Sequence, residues 1–217
     1  MGGRRSKKGA FDLSLGFIII VVFAVVLLTL GITWLRGVVT GVTGLTDDLT
    51  QQASTKLQET FQQSSQNFAL WPPSWSLERG KGIKMSAGIK NNAPDSQNHM
   101  FVINVVPTAV SSNILRNYPG CTSIETCSIT VEGQNMLLKD FMVSWVTWSK
   151  APFVVERTQT GYSYITISIP QAAPSGTYMF GAVACKTDGT GMTSADQCTP
   201  TTLNWGGSMQ PIEINVK

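Results

Sequence analysis

The sequence predicts a long N-terminal α-helix, first apolar and then amphipathic, followed by an all-β antiparallel sandwich. Three observations lead to this prediction. Residues 13–35 contain no charged side chain. Apolar residues then recur every three or four positions as far as Phe61, which is typical of one face of a helix. Beyond residue 80, short runs rich in β-branched and aromatic residues alternate with turn-forming residues, which is typical of strands.

Residues 13–35 are predicted to form a transmembrane helix. At 1.5 Å per residue these 23 residues span about 34 Å, and a bilayer core is about 30 Å thick. Residues 1–12 form a basic leader whose four cations (Arg4, Arg5, Lys7 and Lys8) outnumber Arg36 on the other side. Because such cations stay cytoplasmic, we expect a single-pass cell-membrane protein with its C-terminal domain outside. A cleaved secretory signal is the alternative, but its apolar core would be shorter.

Residues 37–70 are predicted to continue as an amphipathic helix or stalk. Its apolar stripe consists of Val38, Val42, Leu45, Leu49, Ala53, Leu57 and Phe61. Two interpretations remain open: a helix that packs on its own domain or pairs with itself, and the lower half of a filament-forming spine. Trp71, Pro72 and Pro73 are expected to end the helix within a linker over residues 71–79.

Residues 80–217 are predicted to form the β-sandwich, without a helix longer than one turn. The expected strands are 83–90, 100–106, 128–131, 142–148, 153–156, 162–169, 177–185 and 211–216. Alternation is clear in the last of them, where Ile212, Ile214 and Val216 share one face. Seven or eight such strands favour an antiparallel sandwich.

Four cysteines are consistent with an oxidising exterior. Pairing of Cys121 with Cys127 and of Cys185 with Cys198 is the simplest of three possible connectivities. A zinc site is disfavoured because there is no Cys-x-x-Cys motif, and a blue-copper site needs two histidines where the chain has only His99.

The remaining inventory predicts neither an enzyme nor a nucleic-acid partner. The sequence has no Gly-x-Ser-x-Gly or Walker motif, so we expect no catalytic residues, cofactor or metal. His99 is predicted to be a surface strand residue, and Asp188 to lie in a solvated turn rather than a calcium loop. Without the four leader cations the chain has 12 basic and 13 acidic residues, so it has no excess of positive charge to neutralise phosphates.

The segment 168–184 carries a resemblance to a known fold. It reads strand, Ala-Pro-Ser-Gly, Thr-Tyr and strand again. This resembles the penultimate hairpin of immunoglobulin-like modules on prokaryotic surface proteins. The resemblance implies an immunoglobulin-like head, with Tyr178 placed like the tyrosine corner of that fold.

The leader carries a second resemblance. Lys7-Lys8-Gly9-Ala10-Phe11 before an apolar helix resembles the class III signal of archaeal type IV pilins and archaellins. The resemblance implies cleavage between Gly9 and Ala10 by a membrane peptidase. The fifth residue from Ala10 is Ser14, where many bacterial pilins have Glu; the nearest carboxylate is that of Asp12.

Together these features predict a pilin-like or archaellum-accessory structural subunit, anchored in the membrane with an extracellular β head. Its expected partners are the membrane, like subunits or other pilin-type proteins through the N-terminal helix, and an envelope or surface ligand. The alternative is a non-polymerising, membrane-anchored adhesion or envelope-binding module, in which the head alone carries the function.

Overall fold

The computed structural model describes residues 16–29, 51–95, 97–131, 133–202 and 205–217. The chain divides into two compact units, Met1–Leu49 and Thr50–Lys217. The described part of the first unit is a helix over residues 16–29. The second unit contains an amphipathic helix over residues 51–63 and the β domain.

The helix over residues 16–29 is apolar on all sides. Eleven large apolar side chains between Phe17 and Leu28 are 44% to 68% exposed. Thr29 satisfies its hydroxyl within the helix by donating to the carbonyls of Val25 and Val26. Within the described residues, no helix combines the length and the apolar character needed to cross a membrane. The rest of the predicted span, 13–15 and 30–35, lies outside those residues.

The second unit is a sandwich of antiparallel sheets, as the sequence predicts. After the amphipathic helix, its described part contains eleven strands, two short α-helices and one turn of 3₁₀ helix over Ala195–Gln197. In chain order the strands and α-helices are β1 Phe68–Trp71, β2 Ser74–Leu77, β3 Gly82–Lys90, β4 His99–Val110, α1 Ser112–Arg116, β5 Ser128–Val131, β6 Gln134–Leu137, α2 Leu138–Val143, β7 Val146–Trp148, β8 Phe153–Val155, β9 Thr160–Ser168, β10 Gly176–Lys186 and β11 Gln210–Val216.

The strands form two main sheets and a hairpin. Sheet I has the order β1-β3-β9-β7, sheet II has the order β2-β11-β10-β4-β8, and β5 pairs with β6. Neighbouring strands are antiparallel, except that β2 runs parallel to β11. The core lies between sheets I and II and is built by alternation: Ile212, Ile214 and Val216 of β11 are buried, whereas Glu213 and Asn215 are exposed.

The boundary between helix and β domain differs from the prediction. The amphipathic helix ends at residue 63 rather than 70, and the predicted linker 71–79 contains β2 and the end of β1. The β domain therefore begins at Phe68, not at residue 80. Pro72 and Pro73 end a strand rather than a helix. Because they have no N–H to donate to a neighbouring strand, β1 ends at Trp71 in sheet I, and the chain continues as β2 in sheet II.

The predicted strand 142–148 is also wrong in its first half: residues 142 and 143 belong to α2, and residues 144 and 145 form a turn. Leu138, Phe141, Met142 and Trp145 are buried at spacings of three and four residues, a helical period that the apolar run conceals. Only β7, Val146–Trp148, is extended. The sequence predicts no helix longer than one turn in this region, whereas α1 has 5 residues and α2 has 6.

Candidate functional site

The predicted processing site lies outside the described residues. Gly9, Ala10 and the basic leader belong to residues 1–15, so cleavage after Gly9 remains a prediction from the sequence. The amphipathic stripe is described only in its second half, where Ala53, Leu57 and Phe61 are all buried. Val38, Val42, Leu45 and Leu49 lie outside.

The amphipathic helix packs on the outer face of sheet I. We call the outer-face residues Ala69, Trp71, Gly88 and Tyr162 the helix-docking face. Leu57 and Phe61 form a small apolar cluster with Ala69, against which Trp71 and Tyr162 pack. This cluster is separate from the main core, to which Phe68 on the opposite side of β1 belongs. Successive residues of β1 therefore serve two different contacts.

Gly88 makes the close approach of this helix possible. A Cβ on Gly88 would lie 3.0 Å from Cε2 of Phe61 and 3.3 Å from Cδ1 of Leu57. Gly88 pairs with Ala69 on β1 and with Tyr162 on β9. A small residue at the middle of the docking face thus gives room for the two largest apolar side chains of the helix.

Polar contacts end the helix and join it to the sheet. The Ser64 hydroxyl donates to the carbonyl of Thr60, and the amide of Gln66 donates back to that hydroxyl. The Lys90 amide donates to the carbonyl of Asn67, which opens the pairing of β1 with β3. The sequence Ser64–Asn67 therefore turns the chain from the helix into the sheet in four polar residues.

A disulfide-bonded loop covers part of the outer face of sheet II. Cys185 at the end of β10 is bonded to Cys198, with an S–S distance of 2.06 Å. Both cysteines are buried in a second small cluster with Val102, Val183 and Ala195. The amide of Asn104 donates to the carbonyl of Cys198 at 2.9 Å. The loop is thereby fixed both to its own strand and to β4.

The second disulfide, Cys121–Cys127, lies before the β5–β6 hairpin. Cys127 belongs to the main core, and its carbonyl accepts the amide of Leu138 at 2.8 Å. Lys139 forms an ion pair with Glu125, and this contact raises the pKa of Lys139. This disulfide therefore closes the loop before β5, and the hydrogen bond and the ion pair join that loop to the start of α2.

His99 lies at the centre of a charged cluster that the sequence prediction missed. It is 5% exposed rather than on the surface as predicted. Its Nδ1 lies 2.8 Å from Oδ2 of Asp188 and its Nε2 lies 2.7 Å from Oδ1 of Asp95. Lys186 Nζ is 3.4 Å from Nε2. We call Asp95, His99, Lys186 and Asp188 the His99 cluster. The only local signal in the sequence was the spacing of Asp95 and His99, because Asp188 is 89 residues away.

These groups do not assemble into a recognised catalytic arrangement in the described chain. Both ring nitrogens of His99 already contact carboxylates. The described residues hold no set of three or more His, Cys, Asp or Glu side chains suited to a metal ion.

A shallow pocket of about 400 Å³ is lined by Ser149, Phe153, Tyr162, Ser163 and Tyr164, and burial raises the pKa of Tyr162. The pocket lining has no carboxylate, histidine or cysteine.

At the end of sheet II, a buried tyrosine closes the turn before β10. The Tyr178 hydroxyl donates to the carbonyl of Pro174 at 2.8 Å, and its ring packs edge-on against Trp145 with centroids 4.5 Å apart. Burial raises the pKa of Tyr178 far above its ordinary value. This hydrogen bond therefore ties the Ala173–Ser175 turn to the core.

No protein-family model and no curated protein sequence matches the chain. Among solved structures it is similar to a family 123 glycoside hydrolase from Clostridium perfringens, at 10% identity and a TM-score of 0.34, over 67% of this chain and 23% of that one. It is similar to PapD-like domain 7 of human CEP192, at 9% identity and a TM-score of 0.34, over 70% of this chain and 84% of that one. It is also similar to the E. coli chaperone DraB, at 8% identity and a TM-score of 0.32, over 70% of this chain and 55% of that one. Because these TM-scores are low, we infer no function from them.

Proposed function

We propose that this chain is a pilin-like or archaellum-accessory structural subunit with an N-terminal helix for assembly and an extracellular β head. One observation carries the proposal: the amphipathic helix buries Leu57 and Phe61 on the helix-docking face of sheet I. In this proposal the described half of the amphipathic stripe is used within the subunit, and the contacts with like subunits are made by the exposed apolar side chains of the helix over residues 16–29. A free stalk would leave that face uncovered.

The strand order supports an immunoglobulin-like topology for the head. In immunoglobulin folds one sheet holds strands A, B, E and D, and the other holds C, F and G. The order β1-β3-β9-β7 corresponds to A-B-E-D, and β11-β10-β4 corresponds to G-F-C. The edge strand β8 is a departure, because it pairs with β4 but follows β7 in the chain. The hydrogen bond from Tyr178 to Pro174 at the start of β10 corresponds to the tyrosine corner.

The proposed location is the outer side of the cell membrane. Two disulfides in the β domain support an oxidising compartment. The helix over residues 16–29 exposes apolar side chains all round, which suits contact with lipid or with the helices of like subunits. The four cations of the leader support a cytoplasmic N-terminus.

Cleavage after Gly9 would couple this location to assembly. The mature chain would begin at Ala10 and lose Arg4, Arg5, Lys7 and Lys8. Moving each such cation through hydrocarbon costs about 2.5–3.5 kcal/mol, so their removal lets the helix leave the bilayer and pack among its neighbours. A non-polymerising adhesion or envelope-binding module would instead keep the leader, and its apolar helix would remain in the membrane as a permanent anchor.

Replacement of Gly9 tests the proposal. We expect Gly9→Phe to block cleavage and to abolish assembly on the cell surface, while the protein accumulates in the membrane with its disulfides intact. Gly3→Phe is the matched control: it places the same residue in the leader, away from the proposed site, and should be processed and assembled. Equal surface assembly of both variants would contradict the role of cleavage, and a wild-type protein that does not assemble at all would favour the anchored module.

A further inference from the structure

The His99 cluster contains a hydrogen-bonding arrangement that depends on one proton. The His99 side chain is 6% exposed and lies between two carboxylates, with Asp95 before β4 and Asp188 after β10. An ionised carboxylate only accepts hydrogen bonds, so both contacts are satisfied together only when both ring nitrogens carry hydrogen. The geometry therefore corresponds to the imidazolium form.

We propose that His99 is a proton-controlled switch: the imidazolium ties Asp95 to Asp188, and loss of one proton releases Asp95 while Nε2 accepts a hydrogen bond from Lys186. The neutral ring has one N–H donor and one lone pair. Lys186 Nζ is 3.4 Å from Nε2, so a donor for that lone pair is already in place. Proton loss exchanges the partner of Nε2 from Asp95 to Lys186 and leaves the contact of Nδ1 with Asp188 unchanged.

The remaining contacts decide which carboxylate is released. Oδ2 of Asp188 also accepts the amide of Met100 at 2.9 Å, so Asp188 is held at the strand independently of the ring. Asp95 is 45% exposed, and among the described residues it also contacts the Gln97 amide and, at 4.0 Å, Lys186. The neutral ring therefore keeps its hydrogen on Nδ1, toward Asp188, and gives up Asp95.

The charges around the ring are balanced in the imidazolium form. In the described part of the chain, the titratable side chains that contact the ring are Asp95, Asp188 and Lys186. On the neighbouring strand, Val155 pairs with His99, and the side chains of Glu156 and Arg157 that follow it are exposed. Two carboxylates face two cations, and proton loss leaves the cluster with one excess negative charge.

The switch also has an acidic limit. The hydrogen bond from His99 lowers the pKa of Asp95, so the contact is fully formed above the ordinary Asp range and is lost as the pH falls through the lowered value. Histidine side chains generally change charge between about pH 5 and 8. The contact between Asp95 and His99 is thus limited on both sides, by protonation of the carboxylate at low pH and by loss of the imidazolium proton at higher pH.

The segment that responds is the connection between β3 and β4. Its base is held without titratable groups, because the Asn91 amide donates to the carbonyls of Gln97 and Val155. The contact between Asp95 and His99 joins the tip of this connection to the disulfide-bonded loop that carries Asp188. At higher pH we expect the tip to separate from that loop while its base stays in position.

Nuclear magnetic resonance of the full chain tests the switch. His99 is the only histidine of the 217 residues, so ¹⁵N-histidine labelling gives one ring even in a lipid nanodisc. Between about pH 5 and 9 we expect both nitrogens protonated at the acidic end and the Nδ1–H tautomer at the basic end. In a uniformly labelled sample, the Gln97 and Asn98 amides should shift with the ring and the Met100 amide much less.

Two variants test separately the release of Asp95 and the hydrogen bond from Lys186. Asp95→Asn should abolish the pH response of Gln97 and Asn98 while the ring still titrates. Lys186→Met should raise the share of the Nε2–H tautomer at high pH. A neutral wild-type ring with its hydrogen on Nε2, or Gln97 and Asn98 amides that do not follow the ring, would overturn the proposal. The wild-type tautomer decides the question even if neither variant folds.

Discussion

The ring of Phe61 lies directly over Gly88, with Cε2 3.0 Å from the position that a Cβ would occupy. This contact joins the amphipathic helix to the outer face of sheet I. Since Gly88 lies within β3, its lack of a side chain is unfavourable for the strand itself and is explained by the close approach of the helix.

Gly88→Val should therefore separate the helix from the sheet without unfolding the sandwich. Overpacking at such a contact costs about 1–3 kcal/mol, whereas valine suits a strand better than glycine. We expect faster amide hydrogen exchange in residues 51–63 and unchanged protection in β4 and β10. Lys84→Val is the matched control, because it places valine on the same face of the same strand at an exposed position. Equal exchange in both variants would show that the helix does not depend on Gly88.

The boundary at Phe68 predicts how the protein can be shortened. A chain spanning residues 51–217 keeps the helix, β1 and β2, and should fold as a soluble β protein. A chain spanning 80–217 loses the strands that pair with β3 and β11, and it uncovers the helix-docking face. We expect the shorter chain to aggregate or to unfold at lower temperature by circular dichroism. Equal melting temperatures would contradict the role of β1 and β2.

The positions of most strands were predictable because β-branched and aromatic residues alternate in them, as β9 and β11 show. The first two strands were not. Phe68-Ala69-Leu70-Trp71 continues the apolar spacing of the helix, so periodicity cannot show that Phe68 faces the core while Ala69 contacts the helix. Likewise, Met142–Trp148 is an apolar run that fits a strand or a buried helix equally well by composition.

The Cys185–Cys198 disulfide should contribute more to stability than Cys121–Cys127. The sequence separations are 13 and 6 residues, and loop-closure entropy predicts about 3 kcal/mol for the longer loop and about 2 kcal/mol for the shorter one. Urea unfolding of the two double Cys→Ala variants measures the difference. A larger loss for the Cys121 and Cys127 pair would show that packing, rather than loop closure, dominates.

Tyr178→Phe should lower the free energy of unfolding by about 1 kcal/mol at neutral pH, because it removes the hydrogen bond to Pro174. The pKa of Tyr178 is raised by burial, so its contribution is full below the ordinary tyrosine pKa of about 10 and is lost as the pH rises above it. The variant should therefore lose less stability than the wild type between about pH 9 and 11. Tyr164→Phe, at a partly exposed position, is the control. Parallel pH profiles for Tyr178→Phe and wild type would contradict this prediction.

The site residues, like the strands, include some that are predictable from the sequence and some that are not. The two cysteine pairs were predictable because each pair is close in sequence, and the stripe of Leu57 and Phe61 was predictable from its helical spacing. The contact between His99 and Asp188 was not, because it depends on the register of β4 and β10. No local pattern reports such a long-range pairing.

Native mass spectrometry of the protein, extracted from its own cells in mild detergent, tests the proposed function most directly, because one spectrum gives both the start of the chain and its state of association. A processed structural subunit predicts a chain that begins at Ala10 and is present in assemblies of several copies or with other subunits. A chain that retains Met1–Gly9 and is present only as a monomer would contradict the account and favour a permanently anchored module.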